Sequence, residues 1–233
     1  MHAPGTGKVT RNMVVRLLLC NALVAAWLAL GMGGAAQAAE PIRIVVLGDS
    51  LVAGYNMRAS EAFPAKLEAA LKAKGHNVEV INAGVSGDTT AAGLDRLQWA
   101  VPDDADAVIM ELGANDALRG LDPKAAKANL EKIIKTVRGK GADVLLAGMM
   151  APRNLGPEYV KAFDGMYPDL AKTYDLLLYP FFLDGIAMDP ALNLGDGLHP
   201  NPKGVAEITR RFLPKAEELI ARVKARKASA SKG

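Results

Sequence analysis

The stretch Ile42-Arg43-Ile44-Val45-Val46-Leu47-Gly48-Asp49-Ser50-Leu51 decides the fold. Its first six residues are β-branched or apolar apart from Arg43, and the run stops at Gly48. A run without polar alternation predicts a strand covered on both faces, as in a parallel sheet. Downstream, Phe63, Leu67, Ala70 and Leu71 recur at helical spacing. Pro64 suits the first turn of that helix, and Gly75 suits its end. Strand, glycine, polar turn, helix is therefore the opening unit.

The same alternation continues along the chain. Apolar runs at residues 78–81, 107–112, 144–147 and 176–178 predict four more strands. Helical patterns separate them. Residues 89–99 form one, and Asp122-Pro123 opens a second with the stripe Leu130, Ile133, Ile134 and Val137. Residues 159–173 form a third, although Gly165 and Pro168 count against it. Asn201-Pro202 opens the last, with Val205, Ile208 and Phe212 on one face, running to about residue 224. Residues 227–233 are small, polar and basic, and predict a disordered tail. Strands alternating with amphipathic helices predict a parallel sheet covered by helices on both faces, in one domain spanning residues 39–226.

Composition narrows the function. Half of the 233 residues are hydrophobic, which excludes a disordered chain. A single Cys excludes an intrachain disulfide framework and any site built on several cysteines. The net charge of +3 comes from the N-terminus, where residues 1–38 carry Lys8, Arg11 and Arg16 and no acid. Without those three, 25 basic residues face 25 acidic ones. Overall charge thus lends no support to a nucleic-acid partner. The same 38 residues read as a signal peptide: a basic start, an apolar run over 17–30, and Ala36-Gln37-Ala38 as a cleavage site. The apolar run is short for a bilayer span. The expectation is a protein exported to the periplasm or beyond, with no stable membrane anchor after cleavage.

In doubly wound sheets, ligands bind beyond the carboxyl ends of the strands. Four polar segments fall there or beside them: Gly48-Asp49-Ser50-Leu51, Ser86-Gly87-Asp88, Gly113-Ala114-Asn115-Asp116 and Asp196-Gly197-Leu198-His199-Pro200. Ser, His and a carboxylate are the parts of a nucleophilic hydrolase. A serine hydroxyl needs a base, imidazole is suited to that task, and the base needs a partner that fixes its tautomer. Asp196 lies three residues before His199, so one turn brings its carboxylate to the ring. Asn115 has a side-chain N–H to offer an oxyanion, and Ser50 and Gly87 have backbone N–H groups. His76 follows a helix-ending glycine, at the other end of the sheet. Each residue also has a plainer reading. Ser50 and Asn115 suit turns, Gly87 a tight turn, and Asp88 and Thr89 a helix cap. Asp49 suits a structural role, bonding loop backbone near the nucleophile.

The four segments, in this order and spacing, resemble the blocks of the SGNH (GDSL) hydrolase family across nearly the whole chain after residue 38. GDSLVAGYNM, NAGVSGDTT, ELGANDALRG and YPFFLDGI are most similar to its thioesterase, lysophospholipase and arylesterase branch. Ala114 stands where many members have glycine. The resemblance implies a three-layer α/β/α flavodoxin-like fold with five parallel strands in the order 2-1-3-4-5. It implies Ser50 as nucleophile, His199 as base and Asp196 as its orienter. Ser50, Gly87 and Asn115 are implied as the oxyanion hole. The implied substrate is a small acyl ester or thioester, handled without cofactor or metal by a monomer. In that branch similar loops line an acyl groove, which places Leu118, Leu121 and Met150 against the chain. Arg153 and Arg119 then either meet a phosphate or CoA head group or face solvent. Two other readings are a carbohydrate O-acetyl esterase on the same scaffold and a non-catalytic binding module. Asp184, Asp189 and Asp196 fit no EF-hand spacing.

Overall fold

Five apolar runs become five parallel strands: β1 (Ile42–Gly48), β2 (Val78–Gly84), β3 (Ala107–Glu111), β4 (Asp143–Ala147) and β5 (Leu177–Tyr179). Their order is β2-β1-β3-β4-β5, as the resemblance implies. The computed structural model describes residues 40–231. The expected signal peptide over residues 1–38 lies outside them.

The burial of each strand explains how it reads in sequence. β3 is buried at every position, and β1 at all but one. Covered on both faces, they carry continuous apolar runs. Edge strand β2 alternates instead, with Val78 and Val80 inward and Glu79 exposed. It also runs three residues beyond the expected 78–81, because Asn82, Ala83 and Gly84 pair with Val46, Leu47 and Gly48. A polar side chain at position 82 hides that extension from a reading of hydropathy alone.

Helices α1 (Ser50–Ala53), α2 (Phe63–Ala73), α3 (Thr90–Asp95), α4 (Leu97–Ala100), α5 (Ala114–Leu118), α6 (Pro123–Gly139), α7 (Pro157–Tyr174) and α8 (Pro202–Ala230) complete the layers. α2 packs with α8, while α6 packs with α3 and α7. Phe63 of α2 meets Phe212 of α8 and Phe182 edge-on, with ring centroids 5.2 and 5.0 Å apart. α7 runs straight through Gly165 and Pro168, because Phe163, Met166, Tyr167, Leu170 and Ala171 bury one of its faces. Tertiary burial here outweighs propensity.

Two expectations need correction. Residues 89–99 are two helices, not one, and the break falls at Arg96 (φ −96°, ψ 2°). Its side chain turns inward, where Nε donates to Asp88 at 2.5 Å and Nη2 to the carbonyl of Gly48 at 2.9 Å. The disorder expected over residues 227–233 also does not hold for residues 227–230, which are helical. α8 continues to Ala230, since Arg226 donates to Asp143 and to the Asp106 carbonyl, both at 2.9 Å. Lys227 pairs with Asp106 at 2.6 Å.

Candidate active site

Gly48, Gly84, Glu111 and Ala147 end their strands at one edge of the sheet, and the polar segments begin there. After β1 the chain turns at once into the four-residue helix α1. Asp49 caps it, its Oδ1 accepting the N–H of Leu51 at 3.0 Å. The cap is therefore Asp49, which leaves the Ser50 hydroxyl available for other work. Gly84 permits this arrangement: a Cβ there would sit 2.3 Å from the backbone N of Ala53. Only a residue without a side chain lets α1 lie so close to the end of β2.

The base arrives from the far end of the chain. Asp196 Oδ1 accepts the backbone N–H of Leu198 at 2.9 Å and of His199 at 3.0 Å. Those bonds form a tight turn that aims Oδ2 at His199 Nδ1, 2.7 Å away. His199 Nε2 stands 2.9 Å from Ser50 Oγ. The backbone amide of His199, then that of Leu198 and the imidazole, hold the Asp196 carboxyl down at about 2. An ionised Asp196 accepts from Nδ1–H, which leaves Nε2 with a lone pair for the Ser50 proton. His76 bonds Glu217 at 3.1 Å beside the start of β2, at the opposite edge.

The sequence-predicted oxyanion donors surround this pair unequally. Among the described residues, the N–H groups of Ser50 and Gly87 meet no acceptor. Gly87 has φ +87°, a conformation that favours glycine, although a Cβ would find ordinary space. Asn115 Nδ2 donates to Asp49 Oδ2 at 3.1 Å and to the Asp88 carbonyl at 3.0 Å. Its amide is thus fixed by two acceptors, and an oxyanion would share those hydrogens. Thr89 caps α3 as expected, accepting from Ala92. Asp88 does not cap; it pairs with Arg96.

Several contributing residues escaped the sequence reading. Asp116 is buried and takes the Thr90 backbone N–H and hydroxyl at 2.8 and 2.7 Å, tying α5 to α3. Tyr55 lies against the imidazole of His199, with ring centroids 4.4 Å apart. Glu111, at the end of β3, is completely buried beside Asp49. Burial pushes the Asp49 carboxyl up to about 6, against the Leu51 amide and Asn115, which favour its charge. Burial, and then the Asp49 charge, push Glu111 well above the usual carboxylate range. A charged residue closing a fully apolar strand was the available signal for Glu111.

The expected substrate residues leave β3 and β4 at this same edge. Leu118 at the end of α5, and Leu121 and Met150 in the loops, are 53, 42 and 44% exposed, whereas Met149 is core. Arg153 is matched by Asp164 at 2.6 Å, which removes it as a free cation. Arg119 donates to the Gly87 carbonyl at 2.8 Å. Asp184 pairs with Arg211, and the Asp189 carboxylate accepts from the backbone of Ala191.

The pattern of the GDSL-like Lipase/Acylhydrolase family matches residues 46–206, and the chain belongs to that family. It is 41% identical to an arylesterase of Vibrio mimicus over 188 residues, 79% of this chain and 93% of the relative. It is 40% identical to thioesterase 1/protease 1/lysophospholipase L1 of Escherichia coli K12, over 71% of this chain and 78% of the relative. Among solved structures, the esterase EstA of Pseudoalteromonas sp., inhibited by monoethylphosphonate, superposes with a TM-score of 0.73. It shares 30% identity over 77% of this chain and 99% of its own.

Proposed function

We propose that this chain hydrolyses carboxylic esters and thioesters of acyl groups through a covalent intermediate on Ser50. The observation that carries the reading is the unbroken line Asp196–His199–Ser50, with contacts of 2.7 and 2.9 Å. His199 Nε2 takes the hydroxyl proton as Ser50 Oγ attacks the acyl carbonyl. The Ser50 and Gly87 N–H groups and the Asn115 amide hold the oxyanion. His199 then gives the proton to the departing alcohol or thiol, and water repeats the cycle on the acyl-enzyme. Asp196 keeps the imidazole in the required tautomer and stabilises its transient charge. Names of relatives that include arylesterase and thioesterase support both bond types.

The exposed Leu118, Leu121 and Met150 favour an acyl chain longer than acetyl, at the expense of the sugar O-acetyl esterase reading. The test is a p-nitrophenyl ester ladder from acetyl to palmitoyl with Ser50→Ala as control. The reading requires a maximum at medium or long chains that vanishes in the variant. Unchanged turnover in Ser50→Ala would sink it. A maximum at acetyl would return the small-ester reading.

The N-terminal composition supports export to the periplasm or beyond, with cleavage after Ala38. Intact mass of the exported protein checks the cleavage point. Light scattering of that same sample checks the monomer reading.

A further inference from the structure

Glu111 and Asp49 place two carboxyl groups in one buried spot directly behind Ser50. The β1–β3 register pairs Glu111 with Gly48, the residue before Asp49. Both side chains are fully buried. Their hydrogen-bond supply is unequal. Asp49 receives the Leu51 amide on one oxygen and the Asn115 amide on the other. Glu111 Oε2 accepts one hydrogen bond, from the Asp49 backbone N at 3.5 Å, and the Glu111 carboxyl also meets that of Asp49. Glu111 Oε1 meets no donor among the described residues. The hydroxyl of Tyr167 on α7 donates to the Leu112 carbonyl instead. Arg96, whose guanidinium reaches the Gly48 carbonyl, is matched by Asp88. His199 faces Asp49 from the C-terminal turn, and Asp116 and Asp164 face Tyr167 with their own negative charges. Among the described residues, no cation is therefore left over to balance a second charge in this spot.

Two adjoining carboxyl groups in a dry site cannot both ionise. Contact between two acceptors becomes a hydrogen bond only if one of them carries a proton. The better-supplied oxygen set keeps the charge, which is that of Asp49. We propose that Glu111 is a positioning residue for the oxyanion hole: it stays protonated at neutral pH and donates to Asp49, which as an anion holds the Asn115 amide in place. Burial raises both carboxyls, which agrees with one proton being kept by the pair. Loss of that proton donor leaves Asp49 a lone buried carboxylate, which takes up the proton itself. Asn115 then loses its charged acceptor and its fixed orientation.

The inference rests on Asn115 acting as an oxyanion donor, and the experiment separates the two. Infrared spectra of the full chain and of Glu111→Gln, at neutral pH, read the proton without reference to activity. The expected result is a protonated-carboxyl C=O band, shifted in D₂O, present in the wild type and absent from Glu111→Gln. No such band overturns the proposal. If Glu111→Gln fails to fold, ¹³C NMR of wild type labelled at glutamate Cδ decides. One resonance must stay at the acid position across neutral pH, and its absence is equally fatal. In kinetics, Glu111→Gln keeps a donor and should hold kcat within about tenfold, whereas Glu111→Leu should lose about 10²–10³ in kcat with little change in KM. A folded Glu111→Leu with wild-type kcat overturns the proposal, as does an equal loss in both variants. Fluorophosphonate labelling of Ser50 in the wild type stands apart from all of this. Its failure would overturn the hydrolase reading and leave the proton measurement intact.

Discussion

Asp196 and Glu111 flank the same serine, one on a surface turn and the other at the dry end of β3. Asp196 is exposed, yet it collects two backbone amides and an imidazole, and its carboxyl sits near 2. Glu111 accepts one long hydrogen bond in complete burial, and its carboxyl is driven the other way. Burial separates them first, because it penalises the charged form of Glu111. The aimed donors then hold the charged form of Asp196, because each bond made to it favours ionisation. Two sides of one site thus handle charge by opposite means.

The largest effect should come from the donor-rich side. Asp196→Asn keeps the shape of the turn but removes the acceptor that selects the His199 tautomer. Ester-hydrolysis kcat should fall by about 10⁴-fold with little change in the circular dichroism spectrum. A loss below tenfold would mean the turn alone positions His199. Next comes the dry side. Arg96→Met leaves Asp88 unpaired where the two side chains are only 7 and 11% exposed. Urea unfolding should show a destabilisation of about 3–5 kcal/mol. Breaking the surface pair Lys127–Asp169, at 41 and 66% exposure, should cost at most about 1 kcal/mol. Equal costs would contradict the contrast. Asn115→Ala should then lower kcat by about 10²–10³, and a loss confined to KM would make Asn115 a binding residue instead.

The smallest effect is a difference in pH slope. The Asp196 carboxyl is depressed in the fold, from 3.8 to about 2, so its stabilisation is complete above 3.8 and lost as pH falls through 2. The wild type's advantage over Asp196→Asn in urea midpoint should close across that window. Glu111 is raised above 4.5, so its contribution has the reverse sign and is lost as pH climbs from 4.5. Relative to Glu111→Gln, the wild type should weaken as pH rises toward neutrality. Parallel slopes for the two pairs would mean that one of these directions is wrong.

What could be read before the structure follows the same division. β1 and β3 were legible because burial on both faces leaves an apolar run with nothing to interrupt it. The Asp196–His199 pair was legible because three residues of spacing make a local turn. The break at Arg96 was not, since its partners include the carbonyl of Gly48, 48 residues away. Nor was the end of α8, which depends on Asp106 and Asp143 beneath its last turns. Glu111 stayed hidden for a related reason. A lone acid at the end of an apolar strand looks like the point where the strand meets water, and only the fold brings Asp49 against it.

The central claim is that Ser50 is the nucleophile and His199 its base. The most direct measurement treats the protein with a fluorophosphonate, then maps the adduct by mass spectrometry. One adduct per chain on the peptide carrying Ser50, absent from Ser50→Ala and much slowed in His199→Ala, is the result this account predicts. An adduct elsewhere, or ester turnover that survives in Ser50→Ala, would contradict it.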